Sequence, residues 1–130
     1  MPESIERGAL TEAVYYILLS LHQPMHGYAM MQSIEHLTAG RVILGSGTLY
    51  GALNALVQKQ WITSLSSEKD SRQKKYIITE TGKAVFLNEL ERLGELLFHG
   101  LTLFEELSDD DPPGYKRTGY LRMIGNKPTP

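Results

Sequence analysis

The chain has 130 residues, 42% hydrophobic and 22% charged, enough for one small domain with an extension rather than two full domains. It has no cysteine, which excludes disulfides and thiolate metal sites, and no apolar run near ~18 residues, so no membrane-spanning helix is expected. The net charge of −2 argues against a nucleic-acid partner only as an average: residues 59–83 carry six cations against three acids, residues 84–111 eight acids against Arg92, and residues 112–130 four cations and no acid.

Met1 to Arg7 show no basic region followed by an apolar stretch, so no signal peptide is expected, and a cytoplasmic location is. The first periodic segment runs from about Leu10 to Leu21. Leu10, Val14, Ile17, Leu18 and Leu21 form its apolar stripe, Ala13 widens it, and Thr11 is a candidate cap. Pro24 ends it, because proline lacks a donor and disfavours helical geometry at Gln23. A second helix is expected from about Gly27 to Leu37, burying Met30, Met31, Ile34 and Leu37. Thr38-Ala39-Gly40 breaks it, and Arg41-Val42-Ile43-Leu44 reads as a brief strand or an extended linker.

The third helix begins in the glycine-rich stretch Gly45-Ser46-Gly47-Thr48. Leu49, Leu53, Leu56 and Val57 share one face, while Thr48, Tyr50, Gly51, Ala52, Asn54 and Gln58 occupy the others. A helix serving solubility alone would carry Glu and Lys there. An uncharged outer side with small residues, entered at Ser46 or Thr48 as a cap, suits a helix lying in the DNA major groove. The alternative is a partly buried helix with a small-residue contact face. Two helices, a glycine-containing connection and a third helix form a helix-turn-helix pattern. Trp61 to Leu65 and Lys74 to Thr79 then read as two strands around the polar connector Ser66 to Gln73, with Ile62, Tyr76 and Ile78 inward. A hairpin after a helix-turn-helix is a winged helix, and the connector is its wing.

A last helix opens at Thr79-Glu80-Thr81-Gly82 and is expected to reach about Leu107. Phe86, Leu90, Leu93, Leu97, Gly100, Phe104 and Leu107 recur at alternating spacings of four and three, a heptad seam. Leu87, Leu96, Leu101 and Leu103 widen the apolar surface. A helix this long outreaches a small winged-helix core, and its simplest partner is a second copy, with Phe86, Leu90, Leu93, Leu97 and Phe104 as the dimer interface. The fold expected is mainly α with a small β-hairpin: a winged helix-turn-helix over residues 1–79, a dimerisation helix over 80–107 and a tail over 108–130, either a short helix or disordered.

Ser46, Thr48 and Asn54 offer neutral donors and acceptors for phosphates or base edges. Tyr50, on an exposed helix face, can reach a phosphate through its hydroxyl; its alternative is packing on the second helix. Lys69 and Arg72 on the wing can reach phosphate, and Lys74 and Lys75 point to opposite sides of a strand. Lys59 and Lys83 read as ordinary solvated cations. Pro24 breaks the alignment of His22 with His26, and His36 and His99 stand apart, so no metal site is expected, and His26 is read as a hydrogen-bonding residue at the start of the second helix. No carboxylate pair, nucleophile–base set or lysine-bearing phosphate loop is present, so neither catalysis nor a cofactor is expected.

Three stretches resemble the PadR family of bacterial transcriptional regulators. They are His26-Gly27-Tyr28-Ala29-Met30, Gly47-Thr48-Leu49-Tyr50-Gly51-Ala52-Leu53 and Arg72-Gln73-Lys74-Lys75-Tyr76-Ile77-Ile78-Thr79-Glu80-Thr81-Gly82. In this order the likeness spans residues 10–107. Gly51 stands where the family usually has proline, and Gln60-Trp61 where it usually has Gly-Leu. The resemblance implies a homodimeric winged-helix reader of double-stranded DNA, expected to act as a repressor, and the two-fold symmetry of such a dimer makes an inverted-repeat operator the expected target. An effector, where one acts, is expected to be small and hydrophobic or aromatic, although the long helix has no tryptophan for the aromatic drug site of multidrug-sensing relatives. Two other classes share the pattern. A winged helix used only for protein contacts would lack positive potential along the third helix and wing. A small-molecule carrier would show an apolar cavity in the dimer groove and no DNA affinity.

Overall fold

The computed structural model describes residues 8–65 and 74–104. In chain order the elements are α1 (Glu12–Ser20), β1 (Met25–His26), α2 (Gly27–Leu37), α3 (Ser46–Gln58), β2 (Ile62–Ser64), β3 (Lys75–Ile78) and α4 (Glu80–Leu103). The fold is mostly helical with a small antiparallel sheet, a winged helix. The chain divides into two compact units, Met1–Glu89 and Leu90–Pro130.

The core of the first unit is built by the periodic residues of three helices and closed by the sheet and α4. Ile17, Leu18 and Leu21 come from α1 and its end, Met30 and Ile34 from α2, and Leu49, Leu53 and Leu56 from α3. Trp61, Ile62, Tyr76, Ile78 and Val85 close it from the sheet and the start of α4. Each such side chain contributes roughly 1.5–3 kcal/mol by removal from water. The expected α1 stripe holds, and Thr11 caps the helix by accepting the Val14 N–H at 3.2 Å. The bounds of α2 match the expected span, but Leu37 is exposed: it is in phase with Met30 and Ile34, yet lies in the last turn, past the side chains that cover them. Arg41 to Leu44 form no strand; the segment is a linker, with Val42 and Leu44 packed on the core and Ile43 exposed. Val57 sits at the edge of the α3 stripe and is also partly exposed.

The sheet holds a strand that periodicity did not signal. Its order is β1-β3-β2, with Met25 opposite Tyr76, His26 opposite Lys75, and Ile62 opposite Ile78. The chain leaving α1 thus covers the free edge of β3. Tyr76 and Ile78 face the core as the alternation predicts, and Lys75 faces outward. The connector Ser66 to Gln73 lies outside the described residues.

Two helices end in the same way. At α2 the Gly40 N–H reaches Glu35 O and the Ala39 N–H reaches His36 O; at α3 the Trp61 N–H reaches Leu56 O and the Gln60 N–H reaches Val57 O. This pair of bonds is the Schellman turn, which needs its first residue in the left-handed region. Ala39 has φ 53° and Gln60 φ 65°. Gln60 therefore occupies, as a residue with a side chain, a position where glycine would be relaxed. Trp61 then packs beside Leu56 in the core.

α4 starts on a capping contact. Thr79 Oγ1 accepts the Gly82 N–H at 3.0 Å and donates to Gln60 O at 2.7 Å, tying the helix to the end of α3. Gly82 lies flat against Trp61: a methyl there would stand 2.1 Å from the Trp61 carbonyl oxygen. Val85 is buried, and the Phe86 ring meets Tyr15 at 4.9 Å between centroids. Phe86, the first residue of the heptad seam, is thus committed to the chain's own core. Leu90, Leu93 and Phe104 stand exposed, together with the off-seam Leu87, Leu96 and Leu103, whereas Leu101 is buried. Leu107 and the tail from 108 lie outside the described residues.

Two substitutions check this geometry by chemical denaturation. Gln60→Gly relieves about 1–2 kcal/mol of left-handed strain and forfeits about 0.5–1 through a looser unfolded chain, so a net gain of about 0.5–1 kcal/mol is expected. Gly82→Ala gains about 1 kcal/mol of helix preference but forces two backbones apart at about 3 kcal/mol, for a net loss of about 2.

Candidate nucleic-acid interface

The candidate interface is the outward side of α3. Placing successive residues 100° apart around the axis puts Leu49, Leu53 and Leu56 inward and Gly47, Gly51, Asn54 and Gln58 outward, with Thr48 and Ala55 beside them. The burial follows that division, for Ser46, Gly47, Thr48, Gly51, Asn54, Ala55 and Gln58 are all exposed and none is charged. Gly47 and Gly51 face open space, so nothing in the described chain requires glycine at either position. The helix offers a flat surface bearing the hydroxyls of Ser46 and Thr48 and the amide of Asn54.

The start of α3 differs from the expectation. Gly45 is the N-cap and no side chain caps the helix; Ser46 and Thr48 lie inside its first turn. Their hydroxyls are therefore not held at the cap, and among the described residues no side chain caps the first amides.

Tyr50 does not stand free on the outer face. It is half-buried against the core, and a methyl on Gly27 would be 2.6 Å from its hydroxyl oxygen and 2.8 Å from Cζ. The alternative considered for this residue, packing on the second helix, is the observed one. Its position 100° round the helix from Leu49 puts it on the flank where α2 passes. Burial first, and then the nearby Tyr50 phenol, hold the Tyr76 phenol above its ordinary range.

His26 also departs from its expected role. It precedes α2 as the N-cap residue but makes no cap hydrogen bond, and its Nδ1 is buried with no hydrogen-bond partner among the described residues. Pairing with Lys75 in the sheet holds its backbone extended. Tyr28, one residue into α2, is an exposed aromatic at the same corner of the fold. Its place off the Met30/Ile34 stripe was the sequence signal for it.

The cations are distributed unevenly. Lys75 is exposed on β3 and Lys74 half-buried just before it, in line with their opposite orientations. Lys69 and Arg72 lie outside the described residues. Lys59, at the C-cap of α3, stacks its Nζ 4.6 Å from the Trp61 ring centre, so it is less of a free surface cation than its sequence context suggested. Arg41, in the linker before α3, is bound to the Glu12 carboxylate. That hydrogen bond holds the Glu12 carboxyl below its ordinary range, and Glu12 and then Tyr16 hold the guanidinium above its own.

Comparison with known proteins agrees with this architecture. Over 73 residues the chain is 37% identical to an uncharacterised 37.1 kDa protein in transposon TN4556 of Streptomyces fradiae, spanning 56% of this chain but only 20% of that protein. Among solved structures, a PadR-like transcription factor from Bacteroides fragilis is 28% identical with a TM-score of 0.55, covering 69% of this chain and 86% of its own. RosR of H. salinarum superposes with a TM-score of 0.60 over 92% of this chain and 94% of its own; at 21% identity this is a likeness of fold. A transcriptional regulator from Clostridium thermocellum gives 0.55 at 24% identity, over 70% and 87% of the two chains. Residues 16–88 match the transcriptional regulator PadR-like family. The match takes in α2, α3, the hairpin and the first turns of α4, and on it the chain belongs to the PadR-like family of transcriptional regulators.

Proposed function

We propose that this chain is a homodimeric, sequence-selective repressor whose α3 enters the major groove of an inverted-repeat operator. The observation that carries the reading is the outward side of α3: seven exposed residues, none charged, raised on a fully apolar foot. Such a face has no use for general solubility. It allows close backbone approach and leaves Ser46, Thr48 and Asn54 to hydrogen-bond base edges or phosphates. Charge comes from the neighbouring hairpin, through one of Lys74 and Lys75, which point to opposite sides, and, beyond the described residues, Lys69 and Arg72. The helix reads and the hairpin holds.

The second copy is placed on α4. Leu90, Leu93 and Phe104 expose apolar surface in line with half-buried Leu97, which a partner helix would cover. Two-fold symmetry then relates two α3 helices, and half-sites about one helical turn, ~34–36 Å, or a multiple of it apart are expected. A small apolar effector that releases DNA is carried over from the family resemblance alone.

The test is enrichment of bound duplexes from genomic fragments at two salt concentrations, followed by fluorescence anisotropy on the enriched site. An inverted repeat is expected; recovery of no preferred sequence would falsify the reading. Gly51→Ala should stabilise the fold by about 1 kcal/mol through helix preference and still weaken binding to the enriched site, because the methyl adds bulk on the approaching face. Equal binding by this variant would place the DNA elsewhere. Arg72→Ala should weaken all sequences alike and reduce the slope of log affinity against log salt by about 1. Leu93→Glu with Leu97→Glu should give monomer or aggregate in sedimentation, whereas a well-folded dimer would contradict the α4 interface.

A further inference from the structure

The first unit contains one very close approach between the two helices of the helix-turn-helix. Gly27, the first residue of α2, is buried, and an added methyl would lie 2.6, 2.8 and 2.9 Å from Oη, Cζ and Cε1 of Tyr50. Real side chains do not approach so closely, so the phenol end of Tyr50 occupies the space that a Cβ on residue 27 would need. Gly27 does not have a positive φ. Its backbone would accept alanine, and only the contact requires glycine.

Tyr50 sits close to more than one element. Gly27 follows directly on β1, whose Met25 pairs with Tyr76 of β3, and the Tyr50 phenol acts electrostatically on Tyr76. The side chain thus lies where the start of α2, the sheet and α3 converge. On α3 itself, Tyr50 stands four residues after Ser46 and four before Asn54, in one ridge of the helix. Ser46 and Asn54 are exposed at the two ends of that ridge, and its middle is turned into α2. A shift of the ring would roll α3 about its axis or lift it from α2, and Ser46 and Asn54 would move with it.

We infer that Gly27 and Tyr50 form a paired positioning device that fixes how α3 presents Ser46, Thr48 and Asn54, with Tyr50 acting from behind the reading face rather than on it. The inference rests on the DNA reading proposed above. It assigns sequence selectivity to a glycine that touches no base. The pair acts as one unit: an alanine at residue 27 is tolerated when residue 50 is shortened to leucine, which carries no atoms at the positions of Oη, Cζ and Cε1.

The test is a double-mutant cycle of Gly27→Ala, Tyr50→Leu and the two together. Each protein is titrated by anisotropy against the duplex the parent enriches and against a scrambled duplex of equal length. Gly27→Ala should lose about tenfold or more on the enriched duplex, on the order of one lost base contact, while the scrambled duplex, held by phosphate charge, changes little. Tyr50→Leu alone should lose selectivity as well, and the double variant should recover most of it, so the losses do not add. Selectivity equal to the parent's in Gly27→Ala, or additive losses in the double variant, overturns the inference. Should Gly27→Ala fail to fold, a folded and selective double variant supports the pairing, and a double variant that also fails to fold overturns it. A parent protein that enriches no sequence overturns the DNA reading itself, a result distinct from any outcome at Gly27.

Discussion

The backbone of Trp61 is the joint on which the first unit depends. Its N–H closes the end of α3 on Leu56, and its carbonyl accepts the Thr79 N–H at 2.9 Å. Gly82 packs against the same carbonyl, so α4 starts in contact with the end of α3. One residue therefore joins the third helix, the sheet and the fourth helix through backbone atoms. Each hydrogen bond of this kind is worth only about 1 kcal/mol net, well below the apolar burial around it. Burial makes the unit stable, and the joint gives it direction.

Direction matters because α3 carries its function, as proposed, without charge. The helix has leucines on one side and short neutral residues on the other, and the cations are left to the hairpin. Shape and hydrogen bonding are thereby separated from electrostatic attraction, which is the division between contacts that specify and contacts that position. Arg41 fits the same division: it lies just before α3, yet its charge is tied to Glu12 at the first turn of α1, which fastens the linker to the domain. The small residues of α3 place a demand on the residues behind them, because a face without long side chains cannot reach for its target and must be aimed by its support.

Two of the three stretches that resemble the PadR family touch one another through Gly27 and Tyr50. The third contains Tyr76, paired with Met25 directly before them, and ends at Gly82 beside Trp61. The stretches lie far apart in the chain and meet around one corner of the core. The two departures from the family pattern separate in the same terms. Gly51 faces open space and leaves the packing untouched, whereas Gln60 enters the left-handed turn that delivers Trp61 to its place.

The chain by itself determined the helices, the facing strands of the hairpin and most of the core. Those features follow from periods of 3.6 and 2 residues, which are local: a second helix over about Gly27 to Leu37 was legible, as were the Leu49/Leu53/Leu56 foot and the inward Tyr76 and Ile78. The outward Thr48 and Asn54 followed from the same wheel, whereas Ser46 is exposed as the first residue of the helix. What only the tertiary structure decided were the places where a distant partner sets the outcome. β1 is two residues with no readable pattern, and it is a strand because β3 offers an edge. Leu37 is in phase but exposed, and Phe86 meets Tyr15 although its spacing belongs to the long seam. Tyr50 looked exposed because a helical wheel shows direction and not neighbours. Gly27, buried and without a side chain, makes the room into which that ring turns, and no pattern local to either helix records that the two residues meet.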